Sequence, residues 1–180
     1  MVNYPSISLF ETVMRMKLLS LGIVFAACLI GCQPGDDPKK AEEQVKEAFK
    51  ALQTAIKEKD ADKIWNLLDK DSQSDAEREA GAAKEAYGKL ADKDKADYEK
   101  RLKLTDKELA HMTGKLYVKS EVFYKKHHEI PDSKIDKVSV TGETGILYSI
   151  EEDGDKVNFP VVRDKGQWKF SLKIPKAPEK

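Results

Sequence analysis

Three histidines, two cysteines and a dense set of carboxylates are the side chains of this 180-residue chain best suited to chemistry. His127-His128-Glu129 sets two imidazoles beside a carboxylate, with His111 further back, and so invites a metal. Neighbouring helix residues point about 100° apart, so the set converges only if a helix ends there; Pro131 makes that ending available. Zinc sites draw three or four ligands from well-spaced positions, and no HxxxH or HxH pair exists in the chain. The expectation is a solvated helix end, with no metal and no cofactor. His127 also falls on an apolar helix stripe and can be paired with Asp136 as general acid and base, the alternative, enzymatic reading. There is no Gly-rich phosphate loop, no nucleophile elbow and no Cys/His dyad.

Cys32 carries a different chemistry. Arg15 and Lys17 precede an apolar run, LLSLGIVFAACLI from Leu18 to Ile30, in the charge-then-apolar order of a secretory signal. Thirteen residues fall short of the roughly 20 that span a bilayer. The run closes on Leu29-Ile30-Gly31-Cys32, which resembles the bacterial lipobox. That resemblance implies diacylglycerol on the Cys32 thiol, cleavage after Gly31 and acylation of the new amino terminus. Residues 1–31 are then a signal peptide, with translation starting at Met1, Met14 or Met16. Gln33, rather than Asp, follows the cysteine, which by the enterobacterial sorting rule favours the outer membrane.

Equal numbers of basic and acidic residues, 32 each, exclude the one-signed surface that a nucleic-acid binder needs. Removal of the leader leaves 149 residues whose only cysteine is Cys32, so an internal disulfide is excluded although the compartment permits one. Residues 32–40, with Pro34, Gly35 and Pro38, read as the lipidated cysteine and an extended tether. The folded domain is expected over residues 41–175, followed by a disordered tail at 176–180.

The elements that must position these groups follow from periodicity. Val45, Phe49, Leu52 and Ile56 recur at spacings of four, three and four, the face of an amphipathic helix. Asp60 caps a shorter helix bearing Ile64, Trp65, Leu67 and Leu68. Ser74 and Glu77 have capping-box spacing and open an Ala-rich helix toward Tyr98, inside a charged insert at about 72–104 that either packs on the domain or reaches for a partner. Thr105 and Glu108 repeat the spacing ahead of a helix aligning Leu109, Met112, Leu116, Phe123 and His127. From Ile135 the period becomes two. The inward sets read as Val138 and Val140; Ile146, Tyr148 and Ile150; Val157, Phe159 and Val161; and Trp168, Phe170 and Leu172. Gly142, Asp153-Gly154 and Asp164-Lys165-Gly166 supply hairpin turns, and Pro160 calls for a bulge or an edge in the third strand. The fold class is α+β: amino-terminal helices packed on one face of a four-stranded antiparallel meander.

The first helix, the Ile64-Trp65-Asn66-Leu67-Leu68 segment and the closing Val161-to-Phe170 hairpin resemble the nuclear-transport-factor-2-like superfamily, and small bacterial lipoproteins with this cystatin-like α+β cone above all. The likeness spans roughly residues 41–174, departs at the Ser72–Leu104 insert, and implies a cone that is catalytic in some members and merely binding in others. No inward sheet position carries an ionisable group other than Tyr148. A non-enzymatic envelope domain is therefore expected, binding a small apolar ligand or an envelope protein, with Trp65, Tyr117 and Tyr148 as candidate pocket residues and membrane lipid reached through acylated Cys32.

Overall fold

The computed structural model describes residues 37–179; Gly31, Cys32 and the leader lie outside the described residues. Asp37 accepts a hydrogen bond from the Lys39 amide and Pro38 occupies the first turn, so helix α1, Pro38–Glu58, begins three residues before the expected domain boundary. Its apolar face, Val45, Phe49, Leu52 and Ile56, is buried as the spacing requires. Asp60 caps α2, Ala61–Leu67, through the Lys63 amide.

The insert packs on the domain. Asp69, not Ser74, caps helix α3, Lys70–Gly88, because its carboxylate accepts from the Ser72 amide; Ser74 sits inside the helix. Ala76, Ala80 and Ala83 form its buried face, small enough to admit the neighbouring chain closely. The helix stops at Gly88 and α4, Asp92–Leu102, follows, with the Tyr87 hydroxyl between Glu99 at 2.7 Å and Asp106 at 2.8 Å, its one proton shared by the two carboxylates.

Where one long helix was expected, three short ones occur: α5, Asp106–Ala110, α6, Gly114–Val118, and α7, Glu121–Lys126. Thr105 and Glu108 form the predicted capping box of α5. Thr113 and Ser120 then each cap a fresh start, accepting from the Leu116 and Phe123 amides. A hydroxyl that satisfies an amide three residues on competes with continuous helix, and here it does so twice. Gly114 is held against α3: a Cβ there would lie 2.8 Å from the Glu77 backbone nitrogen. Gly114→Ala is expected to cost about 1–3 kcal/mol through this overlap, whereas Gly81→Ala, with nothing within 4 Å of its Cβ position, should gain up to about 1 kcal/mol of helix propensity. Thermal unfolding of the two variants checks the opposite signs.

A 3-10 turn, Ile130–Asp132, leads to strands β1, Lys134–Thr141, β2, Thr144–Ile150, β3, Lys156–Asp164, and β4, Gln167–Phe170. They form an antiparallel sheet in sequential order, as the meander reading requires. All three turns carry the positive φ values that glycine favours, at Gly142, Gly154 and the Lys165-Gly166 pair.

One inward set is corrected by the register. Val138 pairs with Leu147 and Leu147 with Phe159, which puts Leu147 and Ser149 on the helix side and turns Ile146, Tyr148 and Ile150 outward. Both parities of β2 are apolar, so alternation alone selects neither; the partner strands decide. The single irregularity of register lies at Asp136 in β1, not at Pro160. The Pro160 carbonyl accepts from Ser171, so its nitrogen turns to the same side, where β4 has already ended. An edge, not a bulge, accommodates the proline.

Phe49 packs against Phe159 and Phe170 at ring-centroid distances of 5.2 and 5.7 Å, fixing α1 across the sheet. After β4 the chain is strapped along α3. Leu172 donates to Ser72 Oγ at 2.9 Å, and the Tyr117 hydroxyl donates to the Pro175 carbonyl at 3.0 Å. Within the stretch expected as a tail, the Ala177 amide donates to Glu79 and Arg101 donates to the Glu179 carbonyl. No helix among the described residues is long and apolar enough to cross a membrane.

Candidate functional site

The four residues of β4 cover only part of the nine-residue β3. Ahead of Pro160 the uncovered edge of β3 borders a space also lined by α7, the 3-10 turn and the departing Ser171–Lys173 segment. The resulting cleft has a volume of about 650 Å³. Its apolar lining is Ile130, Val157, Phe159 and Leu172, and its polar lining includes His127, Glu129 and Glu151.

His127 ends α7 and is only 7% exposed, its ring 4.6 Å from that of Phe123. This corrects the solvated helix end: His128 fits that description, His127 does not. Burial, helped by the nearby Lys126 charge and opposed by a hydrogen bond with the Lys173 backbone, pushes the His127 pKa down to about 4. The imidazole is therefore neutral at physiological pH. Its Nε2 is buried without a hydrogen-bond partner among the described residues.

At the rim, carboxylate oxygens of Glu129, Glu151 and Asp153 lie within 4.8 Å of one another. At such a spacing three carboxyls can share a hard cation or a proton. Burial first, then the hydrogen bond and charge of Glu129 and the charges of Asp153 and Asp155, raise the Glu151 pKa to about 7. Near neutrality, then, the Glu151 carboxyl still holds its proton part of the time beside Glu129, and His128 Nε2 stands 3.5 Å from Glu129. A neutral imidazole, a carboxyl that can donate and an apolar floor converge on one opening. The arrangement can accept a ligand with a short polar head and an apolar body.

The other sequence candidates are dispersed. Asp136 is exposed in the β1 irregularity and does not line the cleft. Trp65 is half-buried on α2, its carbonyl accepting from Gln73. Tyr117 is fully buried and Tyr148 faces outward, so these three do not form one pocket. A second concavity, about 990 Å³ between the α3–α4 junction and α7, is lined by Lys89, Asp94, Asp97, Lys100, Lys103 and Glu121 among others, charges of both signs that suit solvent better than an apolar ligand. Glu129 and Glu151 went unrecognised as a pair because they are 22 positions apart and meet only when the β2 end reaches the 3-10 turn. The acidic run Glu151-Glu152-Asp153 was the available signal, and it was absorbed into a turn.

No protein family, curated protein or solved structure matches the chain.

Proposed function

We propose that this chain is a bacterial envelope lipoprotein, held by acylated Cys32 in a membrane, by the Gln33 rule the outer one, whose nuclear-transport-factor-2-like α+β domain binds a small, mostly apolar ligand without transforming it. One observation carries the binding reading: the cleft pairs the apolar side chains Val157, Phe159 and Leu172 with a buried, partnerless imidazole nitrogen. A non-enzymatic role is favoured because the sheet's core face offers apolar side chains, Ser149 and, at the β3–β4 end, Arg163 stacked over Trp168, with no carboxylate or histidine among them, and because Asp136 stands away from His127 in the β1 irregularity. The lipobox likeness at Leu29-Ile30-Gly31-Cys32 supports the anchor.

Native mass spectrometry of the chain isolated from its own envelope tests both halves. The expected species carries the mass of acyl chains and of a retained small molecule. Cys32→Ser is expected to remove the acyl mass and leave residues 1–31 attached, because cleavage in this class follows lipidation. Val157→Arg, which fills the cleft from a half-buried position, is expected to keep the acyl mass and lose the ligand. A chain without acyl mass defeats the anchor. A ligand retained equally by Val157→Arg defeats the cleft.

A further inference from the structure

Cross-strand partners share a sheet face, so the register defines the outward one. Along its middle run Ile146, Tyr148, Ile150 and Val162. Ile146 is the most exposed large hydrophobic residue among the described residues, at 37%. Lysines surround this stripe: Lys137 pairs with Tyr148 and Lys134 and Lys156 pair with Ile150, whereas Lys169, the partner of Val162, turns its ammonium to the Asn66 carbonyl and Gln167. The one carboxylate in the outward register is Asp164 at a corner, which is engaged by Lys70 at 3.5 Å. Asp136 lies at the β1 edge, and Glu152 and Asp155 belong to the turn beyond Ile150 and Lys156. Lys134, Lys137 and Lys156 form no ion pair among the described residues, whereas lysines on the helical side, such as Lys63, Lys103 and Lys119, do. In a chain of zero net charge, basic character is thus concentrated around an apolar stripe.

We propose that this outer face docks on the anionic headgroup surface of the bilayer that holds the chain, an inference that rests on the lipid-anchored reading of Cys32. Three properties select a bilayer over a protein partner. The basic groups are lysines, whose stems lie along apolar surface while the ammonium stays in the headgroup layer. Tyr148 between them is a residue suited to the same interface. Six residues from Cys32 to Pro38 span at most about 20 Å, so an acylated chain is never far from that surface. Each lysine brought to an anionic leaflet strengthens attachment by about fivefold, an effect confined to roughly a Debye length.

The test uses the acylated chain in lipid nanodiscs with an environment-sensitive dye on Ile146→Cys, Cys32 being blocked by its acyl group. A blue shift is expected on discs with about 30% phosphatidylglycerol and not on phosphatidylcholine discs. It should vanish in about 0.5 M NaCl and in the Lys134→Glu, Lys137→Glu, Lys156→Glu variant, whose circular dichroism reports whether it still folds. A dye on exposed Glu47→Cys of α1 should not respond. Equal emission on the two discs overturns the proposal. So does a dye that stays in water on both but is shielded in intact envelopes, the result a protein partner gives. If the purified chain carries no acyl mass, the anchor reading fails on that measurement, and titrating Ile146→Cys in a Cys28→Ser, Cys32→Ser background with vesicles of the two compositions still decides the docking.

Discussion

Phe49→Ala is expected to remove about 3–5 kcal/mol of folding stability, the range for deleting a fully enclosed aromatic ring. Phe49 has no exposed surface, and its ring is the one that meets both Phe159 of β3 and Phe170 of β4. The loss is large because collapse around the gap is obstructed from two sides. Below the ring the sheet is fixed by its ladder, and above it α1 is held at its far end by Gln53, whose amide donates to the Ile130 and Ser133 carbonyls at 2.9 and 2.8 Å. A domain stable by about 5–15 kcal/mol would lose a third or more of its margin. Urea unfolding should show a lower midpoint with an unchanged slope. Phe49→Leu, which keeps most of the volume, should cost less than half as much. Similar midpoints for the alanine variant and the parent would mean that α1 does not rest on the sheet through this ring.

The same contacts explain what was readable in advance. α1, α2 and the order of the sheet were legible because each is specified by neighbours in sequence: a four-three-four apolar spacing, an Asp60 cap, and turns that need positive φ at Gly142, Gly154 and Gly166. The single helix drawn through Leu109 and His127 failed because its apolar stripe continues across Thr113 and Ser120. Their hydroxyls cap fresh helix starts instead, and the close seat of Gly114 on Glu77 fixes the first of the two breaks. Strand β2 failed differently. Ile146, Leu147, Tyr148 and Ile150 offer two apolar faces, and Phe159 and Val138 on the neighbouring strands choose between them. The cleft follows the same logic. His127 was visible as a candidate, but its burial depends on where β4 stops, and the carboxyl beside it comes from a hairpin end. Tertiary pairings of this kind leave no local period to read.

Those pairings also predict how stability responds to pH, because the cleft holds two groups displaced in opposite directions. His127 titrates near 4 in the folded chain against 6.5 when free, so its contribution to stability is present above pH 6.5 and is lost as pH falls toward 4. Glu151 titrates near 7 against 4.5, so the folded chain holds the proton more tightly than the unfolded one. Its contribution is complete below pH 4.5 and fades as pH rises through 7. Between pH 4.5 and 6.5 the two slopes therefore oppose each other, and the parent chain should change little. Glu151→Gln removes one of them. Its stability is expected to fall steadily from pH 6.5 toward 4.5, by as much as about 3 kcal/mol if the whole His127 displacement is realised. At pH 7.5 the variant should be the more stable of the two, since the parent there crowds the ionised Glu151 against Glu129 and Asp153. His127→Gln should show the mirror image, gaining stability as pH falls from 7 to 4.5. Glu108, held near 2 by the Lys119 ammonium and the Thr105 amide and hydroxyl, loses its contribution only below about 4.5 and acts alike in all three chains. Urea midpoints at pH 4.5, 5.5, 6.5 and 7.5 resolve these slopes. Parallel profiles for the parent and both variants would mean that neither group is displaced, and the cleft would then be an ordinary wet groove with no tuned groups to offer a ligand.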